Sequence, residues 1–104
     1  MDIEEVAMTL IVHSGDARTS AFLALEEAKK GNFDKADELM AQSQAQFTQA
    51  HHAQTELLSC EAQGEKLEVN VLLIHSQDHL MTSMLAQELI KELIQLHKTK
   101  ADKA

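Results

Sequence analysis

Two histidines four residues apart, His75 and His79, stand with Asp78 inside an otherwise apolar run, Val71 to Leu85 (VLLIHSQDHLMTSML). The run contains neither Gly nor Pro and reads as a helix interior. At ~100° per residue the two imidazoles lie one turn apart on one face, with Thr82 and Ala86 continuing the line. Three kinds of chemistry suit such a pair. The spacing is that of paired metal ligands on a helix, although Ser76 stands where the protease motif has its Glu. Both rings can instead be structural. Or one neutral imidazole nitrogen can accept a phosphoryl group and pass it on, which requires an accessible ring whose second nitrogen is oriented by a partner. For that third chemistry His75 has His79, Gln77 and Thr82 close by in sequence, to position or receive the added charge.

Asp78 lies ~60° from His75 around the helix. It falls in the middle of an apolar stripe formed by Val71, Ile74, Met81, Leu85 and Leu89, where an ionised carboxylate is costly unless paired, solvated or metal-bound. Leu73, Leu80 and Met84 face away from that stripe. A helix apolar nearly all round is a buried helix. One side can pack on the rest of the chain, and the other needs a cover that a small three-helix monomer does not supply. The simplest cover is the same helix from other copies, so the sequence predicts an oligomer. Its seam resembles a coiled coil with one polar position, a device that fixes register and oligomer state.

Three helices must carry these residues. The first is expected over Ile3–Lys30, where Val6, Leu10, Ala17, Ala21, Leu25 and Ala28 recur at helical spacing. Asp2 can cap it, Glu4 and Glu5 suit its first turn, and Lys29, Lys30 and Gly31 form a stop signal. Gly15 interrupts the pattern and is expected to allow close approach of another backbone. Asn32 can cap a second helix over Phe33–Cys60, rich in Gln and Ala and packing on one narrow side. His51 and His52 read as surface residues compatible with the helix dipole. Residues 61–68, EAQGEKLE, mark a loop. The third helix is expected over Val69–Lys98, with a frayed KTKADKA tail. The whole chain, residues 1–104, reads as one domain.

Composition narrows the function. Apolar residues make up 44 % and aromatics 3 %, with no Trp, Tyr or Pro, which favours helices over a sheet. A formal net charge of −8 argues against nucleic acid and anionic membranes as partners and favours a partner with a basic face. The single cysteine, Cys60, cannot form an internal disulfide and reads as an inert thiol in a reducing compartment. No apolar run is long enough to span a bilayer and no signal peptide is visible, so a cytoplasmic protein without membrane insertion is expected. A second reading, from another class, is a non-catalytic helical adaptor. GNFDKADELMAQSQ looks like one unit of a tetratricopeptide repeat, but stacked repeats need at least three.

The run VLLIHSQDHLMTSMLAQELIKELIQLH closely resembles the C-terminal helix of the lactose/cellobiose-specific EIIA proteins of the bacterial phosphotransferase system (PTS). The hallmark is a histidine, two residues, then Asp-His-Leu-Met-Thr, here His75 through Thr82. IVHSGDARTSAFLALEEAKKGNFDKADELM resembles that family's first helix and turn, including Gly15, Ala17, Arg18 and Ser20. The resemblance covers nearly the whole chain. It implies an all-α subunit, an antiparallel up-down-up three-helix bundle assembled as a homotrimer around a central parallel coiled coil of third helices. It also implies a phosphoryl carrier, with His75 taking phosphate from phospho-HPr and passing it to a cysteine of the cognate EIIB during uptake of a β-linked disaccharide. Cellobiose or chitobiose is favoured over lactose by the SQDHLMTSMLAQELI wording. Asp78 from three subunits is implied to surround a divalent cation at the trimer axis. Three close like charges need metal or protons, and all-oxygen ligation suits Mg²⁺ better than zinc. His79 and Gln77 are implied to support the phosphoryl site.

Overall fold

The computed structural model describes residues 2–103. Three helices account for most of them: α1 (Ile3–Lys29), α2 (Phe33–Ala62) and α3 (Val71–Lys103). Their lengths of 27, 30 and 33 residues all lie along one axis of a rod measuring 57 × 20 × 19 Å. The direction of each follows from the connections. Three residues join α1 to α2, so α2 must turn straight back. The eight residues between α2 and α3 reach at most ~28 Å, about half the rod, so α3 starts near the end of α2 and runs beside α1 in the same sense.

Local chemistry sets the boundaries. The Asp2 carboxylate accepts the Glu5 backbone N–H at 3.2 Å and opens α1. Gly31, at φ 84°, supplies the left-handed turn that ends it. Asn32 occupies the N-cap position of α2, but its side chain donates to Glu27 at 2.9 Å and does not cap. The helix α2 continues two residues past the expected Cys60. In contrast, α3 begins two residues later than expected, because Asn70 caps it by accepting the Leu73 N–H at 2.9 Å. The tail expected to fray is helical to Lys103, and it places Lys100 and Lys103 where the dipole favours cations.

The core lies where α1 faces its two neighbours. Near one end, Val6, Leu10 and Ala17 meet Phe47, Ala50, Ala53 and Leu57 of α2 and Leu73 and Leu80 of α3. Near the other, Ala21, Ala24 and Ala28 meet Ala36, Ile90 and Ile94. The many alanines let the helix backbones approach closely, so α1 is the common partner, while α2 and α3 meet only sparingly. Buried serines fill the remaining positions. Ser43 donates to the Ala17 carbonyl at 2.7 Å and accepts from Gln87 at 3.1 Å, joining all three helices. On α2, Leu57 and Ala53 are buried, while the neighbouring Leu58 is exposed.

Candidate functional site

Three faces of α3 have different fates. Leu73, Ser76, Leu80, Ser83, Ile90 and Ile94 are buried against the rest of the chain. On the opposite side, Val71, Ile74, Met81, Leu85, Leu89, Leu93 and Leu96 are all exposed, Val71 to 82 %. Asp78 lies in this exposed stripe, as the helical spacing predicts, and forms no ion pair among the described residues. His75 and His79 occupy the flank between the two faces, where α3 borders α1.

The two imidazoles differ in surroundings. His75 is exposed, whereas His79 is partly buried. Their ring centroids are 5.7 Å apart with planes at 73°, an edge-on arrangement. The His79 Nδ1 lies 2.9 Å from the hydroxyl of Ser14 on α1. Gly15 makes room for the ring. A Cβ at Gly15 would sit 3.2 Å from His79 Cε1, tighter than an ordinary contact. The close approach expected at Gly15 therefore comes from a side chain, not from a backbone. Burial pushes the His79 imidazole below the ordinary histidine range, and the Arg18 guanidinium and the His75 ring push it the same way. At neutral pH His79 is thus an uncharged ring, held at one nitrogen, beside an accessible ring.

Gln77 is placed differently. It lies ~160° from His75 around α3. With Gln54, Leu57, Leu58, Glu61, Leu67 and Leu73 it lines a cleft of about 210 Å³ between the end of α2 and the start of α3. Its amide donates to Ser76 at 3.3 Å. Within one subunit, then, Gln77 does not join the two histidines. Thr82, also near His75 in sequence, bonds back to the Asp78 carbonyl at 2.7 Å. Ser14 is the partner that sequence spacing missed, because it is 65 residues from His79. The only local signal was a Ser-Gly pair in the middle of an otherwise well-patterned helix.

The remaining candidates fall outside the site. His51 and His52 are exposed on α2. The neighbouring Glu65 carboxylate, with desolvation second, pushes the Cys60 thiol up and opposes the thiolate form. Among the described residues no group of three or more His, Cys, Asp or Glu is arranged to hold a metal within one subunit. None of the described helices is long and apolar enough to cross a membrane.

Comparison with known proteins gives a consistent set of likenesses. The sequence model of the family described as "PTS system, Lactose/Cellobiose specific IIA subunit" matches residues 5–98. The chain is 50 % identical over 97 residues to the N,N'-diacetylchitobiose-specific EIIA component of Escherichia coli K12, covering 93 % of this chain and 84 % of that protein. The crystal structure of the cellobiose-specific enzyme IIA from Bacillus anthracis superposes with a TM-score of 0.96 at 45 % identity, over 100 % of this chain and 95 % of that one. A chain in the solution structures of a IIA(chitobiose)–HPr complex superposes with a TM-score of 0.84 at 46 % identity, over 97 % of this chain and 98 % of that one.

Proposed function

The chain belongs to the lactose/cellobiose-specific IIA family of the PTS, whose members are phosphotransferase components, and on that premise we propose that His75 is the residue that carries the phosphoryl group. The observation that carries this assignment is the contrast between the two rings: His75 is exposed at the flank of α3, while His79 is tied to Ser14. Only an accessible imidazole can be reached by a donor protein. A ring nitrogen of His75 attacks phosphorus as the donor–phosphorus bond breaks, and the bonding pair leaves with the donor. In the second half-reaction a cysteine thiolate takes the phosphoryl group and the electron pair of the P–N bond returns to the imidazole.

HPr is the proposed donor, in keeping with the complex formed by one structural relative, and the cognate EIIB is the proposed acceptor. A cellobiose- or chitobiose-type disaccharide is the proposed cargo of the system, matching the names of the relatives above. His79 is proposed as a supporting group. Gln77, on the far flank, would serve the site only from a second copy of the chain. The adaptor reading is set aside, since the repeat-like turn occurs once and the family match spans residues 5–98.

The assembly is proposed to be a homotrimer, with the exposed α3 stripe as its central parallel seam. The support is the length of that stripe, from Val71 to Leu96, which no other element of the subunit covers. One exposed carboxylate per subunit is too few to hold a cation, so Asp78 would be a ligand only where three copies converge. In that arrangement the three Asp78 side chains would hold Mg²⁺ or another divalent cation, which would neutralise their mutual repulsion.

Incubation of His75→Gln with phospho-HPr tests the main assignment. The variant is expected to fold like the parent and to acquire no acid-labile phosphate, whereas the parent acquires one per subunit. Normal phosphorylation of His75→Gln would overturn the role given to His75.

A further inference from the structure

Ser14 is buried, belongs to α1, and touches the site only through His79. Its hydroxyl has one proton and three atoms within reach of it, the Ile11 carbonyl being the most distant at 3.5 Å. The Leu10 carbonyl lies 2.5 Å from Ser14 Oγ, and the His79 Nδ1 lies 2.9 Å away. At 2.5 Å two oxygens cannot face each other lone pair to lone pair, so the proton sits between them and Ser14 donates to Leu10. The Ser14 oxygen is then left as an acceptor. Its contact with His79 is favourable only if Nδ1 carries the hydrogen. A neutral ring protonated at Nδ1 has its lone pair at Nε2. That nitrogen has no hydrogen-bond partner among the described residues, and the ring edge that holds it passes Gly15, at 3.9 Å from where a Cβ would stand. The serine thus fixes two properties at once: which way the ring points and which nitrogen keeps its lone pair.

We propose that Ser14 is a positioning residue for the phosphoryl site, holding His79 as the Nδ1–H tautomer with Nε2 free, on a ring whose centroid lies 5.7 Å from that of His75. The consequence for transfer rests on the reading of His75 as the phosphoryl carrier; the tautomer itself does not. A backbone carbonyl enforces the arrangement, because Leu10 captures the hydroxyl proton as part of the α1 helix. The arrangement therefore persists for as long as α1 keeps its register against α3.

The test begins with the unphosphorylated parent protein, labelled with ¹⁵N and observed through the two-bond couplings of its imidazoles under conditions where His79 is neutral. The expected spectrum shows His79 with a protonated-type Nδ1 and an unprotonated-type Nε2. The opposite tautomer overturns the proposal. Ser14→Ala should then lose the Nδ1–H signature and slow single-turnover phosphate uptake by about tenfold, the lower end of what losing a ring-orienting partner costs at metal-bound histidines. Its affinity for HPr should not change. Ser14→Thr, which keeps the hydroxyl, should restore both the signature and the rate. If Ser14→Ala retains the parental tautomer and rate, Ser14 has no positioning role. Should Ser14→Ala fail to fold, the parent spectrum decides the tautomer and Ser14→Thr decides the rate. Failure of the His75 reading would be seen separately, as phosphorylation of His75→Gln with the His79 tautomer unchanged.

Discussion

The two faces of α3 invert the usual distribution of size. The face turned toward α1 alternates large and small: Leu73, Ser76, Leu80, Ser83, then Ile90 and Ile94. The face turned to solvent is uniformly large apart from Asp78: Val71, Ile74, Met81, Leu85, Leu89, Leu93 and Leu96. The inner face gives up apolar area for closeness, since serine lets α3 lie near the small residues of α1. It even leaves one hydroxyl, that of Ser83, buried without a partner. The outer face gives up nothing and packs on nothing within the subunit. A contiguous apolar patch of this length marks a surface meant to be covered. The inner face thus serves folding, the outer face is the one offered to the proposed trimer seam, and the histidines lie on the boundary between them.

Substitutions can break that division or sharpen it. The largest effect is expected from Leu85→Lys, which puts a charge in the middle of the outer stripe. It should convert the proposed assembly to single subunits in sedimentation, with helical content retained because Leu85 belongs to neither core cluster. Persistence of the assembled mass would mean that the outer face is not the seam. On the inner face, Leu80 is only 2 % exposed, so Leu80→Ala should cost about 3 kcal/mol per subunit. Urea denaturation of a Leu85→Lys background would read this cost free of association. Next in size is Asp78→Leu, which removes the one charge from the outer stripe. If the proposed trimer brings the three carboxylates together, replacing them by a fitting hydrophobe should stabilise it by about 1–4 kcal/mol. The parent should melt lower in EDTA than in Mg²⁺, whereas the Asp78→Leu protein should be indifferent; equal responses from both would remove the metal from the account. The smallest effect is expected at Gly15→Ala. Alanine gains about 1 kcal/mol of helix propensity over glycine, but the new Cβ presses on His79. The two effects oppose each other, so stability should change by less than about 1 kcal/mol, accompanied by displaced His79 ring resonances in NMR spectra.

Much of this arrangement was legible in the sequence, and the exceptions have a common cause. Helix α1 and its caps followed from local chemistry: Asp2 at the start and Gly31 at the end each act within a few residues. The angular placement of His75 between the Asp78 stripe and the Leu80 face followed from helical periodicity alone. What periodicity cannot supply is the register of one helix against another. For that reason the Ser14–His79 contact, the partial burial of His79 and the outward turn of Leu58 were not readable, and Gln77 seemed closer to His75 than it is. The start of α3 was misplaced because the apolar Val69 suggested continuation where Asn70 imposes a cap. The tail, expected to fray as chain ends do, is helical because its lysines and alanines are good helix formers.

The sparing contact between α2 and α3 has a consequence for how disturbances combine. Because each of them packs chiefly on α1, a change in the α1–α2 seam and a change in the α1–α3 seam share few neighbours. The energetic costs of such changes should therefore sum, as they do for distant sites, except at the links between the two sides: Ser43 with Ala17 and Gln87, the 2.7 Å ion pair of Lys98 with Asp37, and the cluster where Phe47 and Leu57 meet Leu73 and Leu80. The histidine flank lies on the α1–α3 side of the subunit and feels α2 only through that cluster, which holds Leu10, the residue whose carbonyl binds Ser14. Sequence drift along α2 outside that cluster can alter the stability of the protein with little effect on the geometry of His75 and His79.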